Sequence, residues 1–194
     1  MKTVFPIKNY KLGEHSLPLI EAPLLQDFPG LRHGFATRQG GVYREHLSSL
    51  NFGFSLGDDR ENVIENFRIM GQVLGGEAED FVLTRQTHSV NVRRVGRADR
   101  GKGIFRERDY TDVDALMTNE EGVILTAFSA DCVPILFYDK GKRVIASCHS
   151  GWRGTHGRIL AEVIKAMEEE FSSNPEEIYI AIGPSICKSC YEVS

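Results

Sequence analysis

No apolar run in the sequence approaches the roughly 20 residues that span a bilayer as a helix, which argues against a helical membrane protein. Only four cysteines are spread over 194 residues. That is too few for a disulfide framework in a domain this size, and leaves them for metal binding, catalysis or plain burial. Internal repeats and low-complexity segments are absent, and the 19 glycines follow no period, so solenoid and collagen-like architectures are excluded. There is no excess of basic charge. Lys+Arg 23 against Asp+Glu 27 gives a formal net charge of −4, which argues against a dedicated nucleic-acid binder and leaves room for a local basic pocket. The expected partner is small. The opening Met1-Lys2-Thr3-Val4-Phe5-Pro6 has no apolar segment followed by a small-residue cleavage site, and a cytoplasmic address is the expectation. What is present is 41% hydrophobic residues, enough for one well-buried core, so residues 1–194 are expected to form a single domain. Its last residues, from Ile186 to Ser194, follow a strand without a closing helix or polar tail and read as a C-terminal truncation.

Periodicity places the elements. Residues 1–30 show little pattern, and Phe28-Pro29-Gly30 separates them from a short strand over Arg32 to Thr37. After a glycine-punctuated loop from Gln39 to Gly53, Asp58 or Asp59 is placed to cap a helix burying Val63, Ile64, Phe67, Met70, Val73 and Leu74, ended by Gly75-Gly76. Strands are expected at 81–84, 90–95, 114–118, 123–128, 133–138, 143–148 and 178–182, with Pro134 marking an edge or bend. A second amphipathic helix is expected from about Thr155 to Phe171. Strands clustered between two helices favour mixed α+β layering over strict βαβ alternation.

The most informative chemistry lies in His88, Cys132 and His149. Each stands at the edge of an apolar strand in a short polar or glycine-containing stretch, so the three can share one sheet end. Two imidazoles and a thiolate suit Zn²⁺, and three protein ligands leave a fourth position open for water, as in catalytic sites. Their wide spacing matches no local zinc signature, and a buried cysteine with two hydrogen-bonded histidines is the alternative. In His149-Ser150-Gly151-Trp152-Arg153-Gly154 the glycines allow close backbone approach, and Arg153 offers a fork for phosphate or carboxylate; a tight turn with an exposed arginine fits equally. Arg38 beside Gln39-Gly40-Gly41, and Arg85 three residues before His88, extend a possible anion pocket. Asp131 is read as structural, because on a shared strand it points away from Cys132. Cys187-Lys188-Ser189-Cys190 has the spacing of a redox motif or half a zinc site, but no second pair and no following helix, and is read as structural. His15, His33, His46 and His156 are read as incidental.

A series of blocks in order then carries a resemblance: His33-Gly34-Phe35, Thr37-Arg38-Gln39-Gly40-Gly41, Asn51-Phe52-Gly53, Thr84-Arg85-Gln86-Thr87-His88 and Asp112-Val113-Asp114-Ala115-Leu116. It continues with Ala130-Asp131-Cys132-Val133-Pro134-Ile135, His149 through Thr155, Gly183-Pro184-Ser185-Ile186 and Cys190-Tyr191-Glu192-Val193. In these the chain resembles the multicopper polyphenol oxidoreductase, or laccase-domain, family, whose members are more recently read as zinc-dependent purine nucleoside phosphorylases. The resemblance implies metal ligands at His88, Cys132 and His149; substrate contacts are expected at Arg38, Arg85 and Arg153, which flank the site loops, and at Asn51 of the Asn51-Phe52-Gly53 block. It also implies a layered α/β/β/α sandwich with mixed sheets related to the catalytic domain of cytotoxic necrotizing factor. Members of the family usually continue beyond the Tyr-Glu-Val block with an Arg- and Gly-containing segment near the active site. The implied activity is phosphorolysis of adenosine, inosine, guanosine and methylthioadenosine by inorganic phosphate, with deamination of adenosine. Two other readings compete: a copper enzyme oxidising phenols, with Cu²⁺ on the same donors, and a metal-free thiol hydrolase with Cys132 as nucleophile and His149 as base.

Overall fold

The computed structural model describes residues 5–13, 15–44 and 46–192; Met1 to Val4 of the N-terminal reading, and Val193 and Ser194 of the last motif, lie outside them. The chain divides into two compact units, residues 1–80 and 81–194.

In the first unit β1 (Ile7–Leu12) and β2 (His15–Ile20) form an antiparallel hairpin, and β3 (Phe35–Ala36) adds to β2. Sequence periodicity missed this hairpin. Lys8, Asn9 and Lys11 leave β1 solvent-facing without an apolar alternation, and only Leu17 and Leu19 of β2 are buried, on either side of Pro18. The strand expected over Arg32 to Thr37 shrinks to β3. A single turn, α1 (Pro23–Gln26), precedes it in the chain, and α2 (Arg60–Leu74) follows. Helix α2 buries Val63, Ile64, Phe67, Met70 and Val73, as its spacing requires. It stops at Gly75, whose φ of 79° lets its N–H turn back to the carbonyls of Gly71 and Gln72. Asp59 occupies the N-cap position without a side-chain cap bond. The Asp58 carboxylate is instead engaged by the amides of Asn51 (3.1 Å) and Asn62 (2.9 Å).

The second unit is built on a five-stranded sheet ordered β10–β8–β9–β6–β5, from β5 (Val92–Arg94), β6 (Ala115–Thr118), β8 (Val133–Asp139), β9 (Val144–Ser150) and β10 (Ile178–Ile182). All pairs are antiparallel except β5 with β6. A parallel pair, β4 (Phe81–Leu83) with β7 (Ile124–Thr126), forms a second small sheet. Alternation along the strands sorts the two faces. Ala115, Met117, Ile135, Phe137, Val144, Ala146 and Cys148 pack under α4 (Ile159–Phe171) against Ile159, Val163 and Met167. Leu116 points the other way, into a cluster with Val82, Val95, Tyr110, Val113 and Val123. Pro134 is not at an edge: β8 lies between β10 and β9, and the proline is tolerated at its second residue. The second helix is also shorter than expected. Residues 152–171 divide into α3 (Trp152–His156) and α4, because Arg158 takes a left-handed φ of 63° between them. This is the mixed α+β class the pattern implied. Among the described residues no helix is long and apolar enough to cross a membrane.

Because Phe137 is 2% exposed at the centre of the face under α4, Phe137→Ala is expected to destabilise the protein by about 3–5 kcal/mol, whereas the exposed Glu168→Ala should stay within about 0.5 kcal/mol. Urea unfolding followed by circular dichroism measures both.

Candidate metal centre

Strand register brings four chain segments to one end of the five-stranded sheet. Val133, opening β8, pairs with Ser150, closing β9; Ala115, opening β6, pairs with Cys148; and Val92, opening β5, pairs with Ala115. The residues just before β5, β6 and β8 therefore meet the last residues of β9. His88, Cys132 and His149 come from three of these segments, and one donor atom from each lies within 4.8 Å of the others. Cys132 Sγ is 3.8 Å from His88 Nε2. The two imidazoles meet edge to face, with centroids 4.9 Å apart. Exposure is graded across the set: His149 is buried, Cys132 half-buried and His88 exposed, so the donors open to solvent on the His88 side.

The fourth segment supplies the carboxylate that organises the others. Asp114, fully buried just before β6, accepts hydrogen bonds from the N–H groups of Thr87 (3.0 Å), His88 (3.1 Å) and Ser89 (2.9 Å), and from Ser89 Oγ (2.8 Å). It also faces His149 Nδ1 at 2.7 Å. An ionised carboxylate can only accept, so Nδ1 carries the proton and Nε2 is left as the lone-pair nitrogen for a metal. Burial alone would raise the Asp114 pKa. The hydrogen bonds from Thr87, His149 and Ser89 outweigh it and hold the carboxyl below its usual range.

Local backbone explains why the loop is shaped this way. His88 has a left-handed φ of 66°, which turns three successive N–H groups, from Thr87 to Ser89, onto one carboxylate. Its imidazole lies against the backbone of Gly151, where an added Cβ would overlap the ring. Gln86 ties the start of the loop to the end of the second small sheet, donating to Phe128 O (2.8 Å) and accepting from Phe128 N (2.7 Å). Asn91 holds the other side, donating to the Asp112 carboxylate and carbonyl at 2.8 Å each. Ser129 Oγ donates to the Cys132 carbonyl and steadies the third donor.

The two inner cysteines of this unit differ sharply. Cys148 points into the core under α4, and burial, with Asp114 nearby, pushes its thiol up to about 12, so it is inert. The Cys132 thiol is also raised, by burial first and then by Asp131 and Asp114. Those negative charges, which oppose a free thiolate, favour a cation placed among the donors. Two imidazoles and one sulfur, with one imidazole oriented by a buried carboxylate, fit a transition-metal ion.

The four other expected contacts fall in different places. Arg85 precedes the His88 loop, exposed, its backbone exchanging hydrogen bonds with Val113 at 3.1 and 2.9 Å. Arg153 is exposed on α3, its guanidinium over the neighbouring Trp152 ring at 5.3 Å. Arg38 and Asn51 belong to the first unit. There Arg38 Nε donates to Ser48 O at 3.1 Å, and Asn51 donates to Gly53 O and the Asp58 carboxylate while accepting from Gly53 N. Sequence reasoning missed the organising role of Asp114, and missed Arg108, which is partly buried and donates to Thr84 O at 2.6 Å. The Asp112-Val113-Asp114 run directly before an apolar strand was the available signal for the first.

A family model described as multi-copper polyphenol oxidoreductase laccase matches residues 32–194. The chain belongs to this family. It is 38% identical over 164 residues to a protein named purine nucleoside phosphorylase YlmD from Bacillus subtilis, with 82% of this chain covered. It is 37% identical over 161 residues to a protein named adenosine deaminase RL5 from an unknown prokaryotic organism, again with 82% of this chain covered. Among solved structures, the Bacillus licheniformis protein YfiH superposes with a TM-score of 0.82 at 32% identity, over 93% of this laccase-family chain and 66% of that one. The chain spans 58% of the length of the Bacillus subtilis relative and 61% of the deaminase.

Asp114→Asn is expected to weaken metal binding roughly 10- to 100-fold, because an amide cannot accept all five bonds. Gly151→Ala, which forces the His88 ring aside, should lower metal occupancy while leaving the unfolding midpoint within a few degrees. Metal titration by calorimetry and thermal unfolding separate the two effects.

Proposed function

We propose that this laccase-family chain carries the catalytic site of a zinc-dependent purine nucleoside phosphorylase, acting on adenosine, inosine, guanosine and methylthioadenosine with inorganic phosphate in the cytoplasm, and also deaminating adenosine. The observation that carries this reading is the His88–Cys132–His149 set with His149 oriented by buried Asp114. The names of the relatives, purine nucleoside phosphorylase and adenosine deaminase, supply the substrate class.

Two nitrogens and one sulfur favour Zn²⁺ among common ions. Bound there, zinc supplies Lewis acidity at a position that the protein leaves open to substrate. The chain's own residues do the rest. Asp114 keeps His149 in one tautomer and holds the His88 loop, so neither donor must reorganise during turnover. Arg85, exposed just before the His88 loop, and Arg153, exposed on α3 after His149, offer guanidinium forks for phosphate. Phosphate so held attacks the anomeric carbon as the glycosidic bond opens to an oxocarbenium-like state, which anionic oxygens stabilise.

The competing readings fit the geometry less well. Among the described residues the His88–Cys132–His149 group is the one convergent set of three or more donors, whereas a multicopper centre needs donors for several ions. A thiol hydrolase needs Cys132 hydrogen-bonded to His149, but the hydrogen-bond contact of Cys132 Sγ is with His88.

Cys132→Ala is expected to lose bound zinc and to lower phosphate-dependent base release from inosine more than about 100-fold, the scale set by several kcal/mol of transition-state stabilisation, with the fold retained. Metal analysis and chromatography of the released base, with and without phosphate, check this. Zinc retained at one per chain would remove Cys132 from the ligand set, and base release independent of phosphate would replace phosphorolysis by hydrolysis.

A further inference from the structure

The Cys187-Lys188-Ser189-Cys190 segment follows β10 and plays no part in the reading above. Beyond β10 the chain keeps its antiparallel course beside the entrance to β8: Gly183 N donates to Pro134 O at 2.8 Å and Ile186 N to Asp131 O at 3.0 Å. It then enters a turn closed by Cys190 N to Cys187 O at 3.0 Å. A turn of this kind holds its first and last Cα atoms within about 7 Å, the range from which a disulfide can form. The two Sγ atoms are on the same side, 3.0 Å apart, and Ser189 Oγ stands 3.2 Å from Cys187 Sγ. Both thiols are free and exposed, unlike Cys148 in the core and Cys132 among the metal donors.

We propose that Cys187 and Cys190 form a second reactive site, a dithiol that undergoes exchange with small-molecule disulfides, with Cys187 attacking and Cys190 resolving. Short-range sulfur and hydroxyl partners are what stabilise an attacking thiolate. The contact with Cys190, and next that with Ser189, lower the Cys187 thiol to about 7, below an ordinary cysteine. In the first step the Cys187 thiolate attacks one sulfur of a low-molecular-weight disulfide, forming a mixed disulfide and releasing one thiolate. Cys190 then gives its proton to solvent and attacks Cys187 Sγ, breaking the mixed disulfide and releasing the second thiolate. The two protein thiols are oxidised to one disulfide, and the small disulfide is reduced to two thiols. Because Ile186 is bonded to the residue next to Cys132, this chemistry takes place on the chain segment that borders the metal donors.

The test uses the 194-residue chain and oxidised glutathione, followed by maleimide labelling of the remaining thiols and peptide mass spectrometry. Wild type is expected to lose two labelled thiols, yield a Cys187–Cys190 disulfide and retain no glutathione. Cys190→Ser should stall with one glutathione on Cys187 and react with iodoacetamide at Cys187 at least about 3-fold more slowly at pH 7. Cys187→Ser should leave Cys190 slow to react. Unchanged circular dichroism shows that the variants fold. The proposal is overturned if glutathione enters Cys132 in preference, if both thiols stay labelled, or if a second equivalent of Zn²⁺ protects the pair without any disulfide product, which would make it a metal half-site.

Discussion

A single buried carboxylate holds the site together. Asp114 has no exposed surface, and it could not remain ionised there without the donors that converge on it. Those donors are three consecutive backbone N–H groups, one hydroxyl and one imidazole, drawn from two chain segments that have no sequence proximity to each other. The loop carrying one candidate metal donor and the ring of another are thus fixed by the same charge. Removing it would unmake the geometry at His88 and His149 together, and Cys132 would be left as the one donor set by its own loop.

The sheet makes that convergence possible. Antiparallel pairing of β9 with both β6 and β8 puts the start of two strands against the end of the third, and parallel pairing of β5 with β6 adds the loop before β5. Alternation along β9 then separates adjacent residues by function: Cys148 closes the apolar layer under α4, and His149 faces the donors. A shift of one residue in the β9 register would turn Cys148 toward the donors and the His149 imidazole into the apolar layer, disrupting both at once.

Much of this was legible in the residues. The seven strands predicted after residue 80 are all present within a few residues of their expected limits, and α2 carries the buried face its spacing requires. The donors could be singled out because polar residues at the ends of apolar strands are few. The rest depended on information that periodicity does not hold. The β1–β2 hairpin has one strand facing solvent, so no alternation announces it. The break between α3 and α4 rests on a left-handed arginine in an otherwise continuous helical pattern. The role of Asp114 arises only when a loop from elsewhere folds its N–H groups onto it, which no local pattern records. The Cys187–Cys190 spacing has neither a second pair nor a following helix to mark it as reactive, yet a turn alone suffices to bring its sulfurs together.

The left-handed backbone at His88 also governs which donor sets the proposed metal centre could adopt over evolution or by design. Cys132 and His149 sit in backbone conformations open to any L-residue, so oxygen or sulfur donors can be exchanged there on chemical grounds alone. At position 88 a replacement must both donate to a metal and tolerate positive φ, which confines the choice largely to asparagine and aspartate. Retuning this centre toward harder, oxygen-preferring ions is therefore accessible at every donor, whereas retuning it toward softer ions by adding a second thiolate is open at His149 and strained at His88.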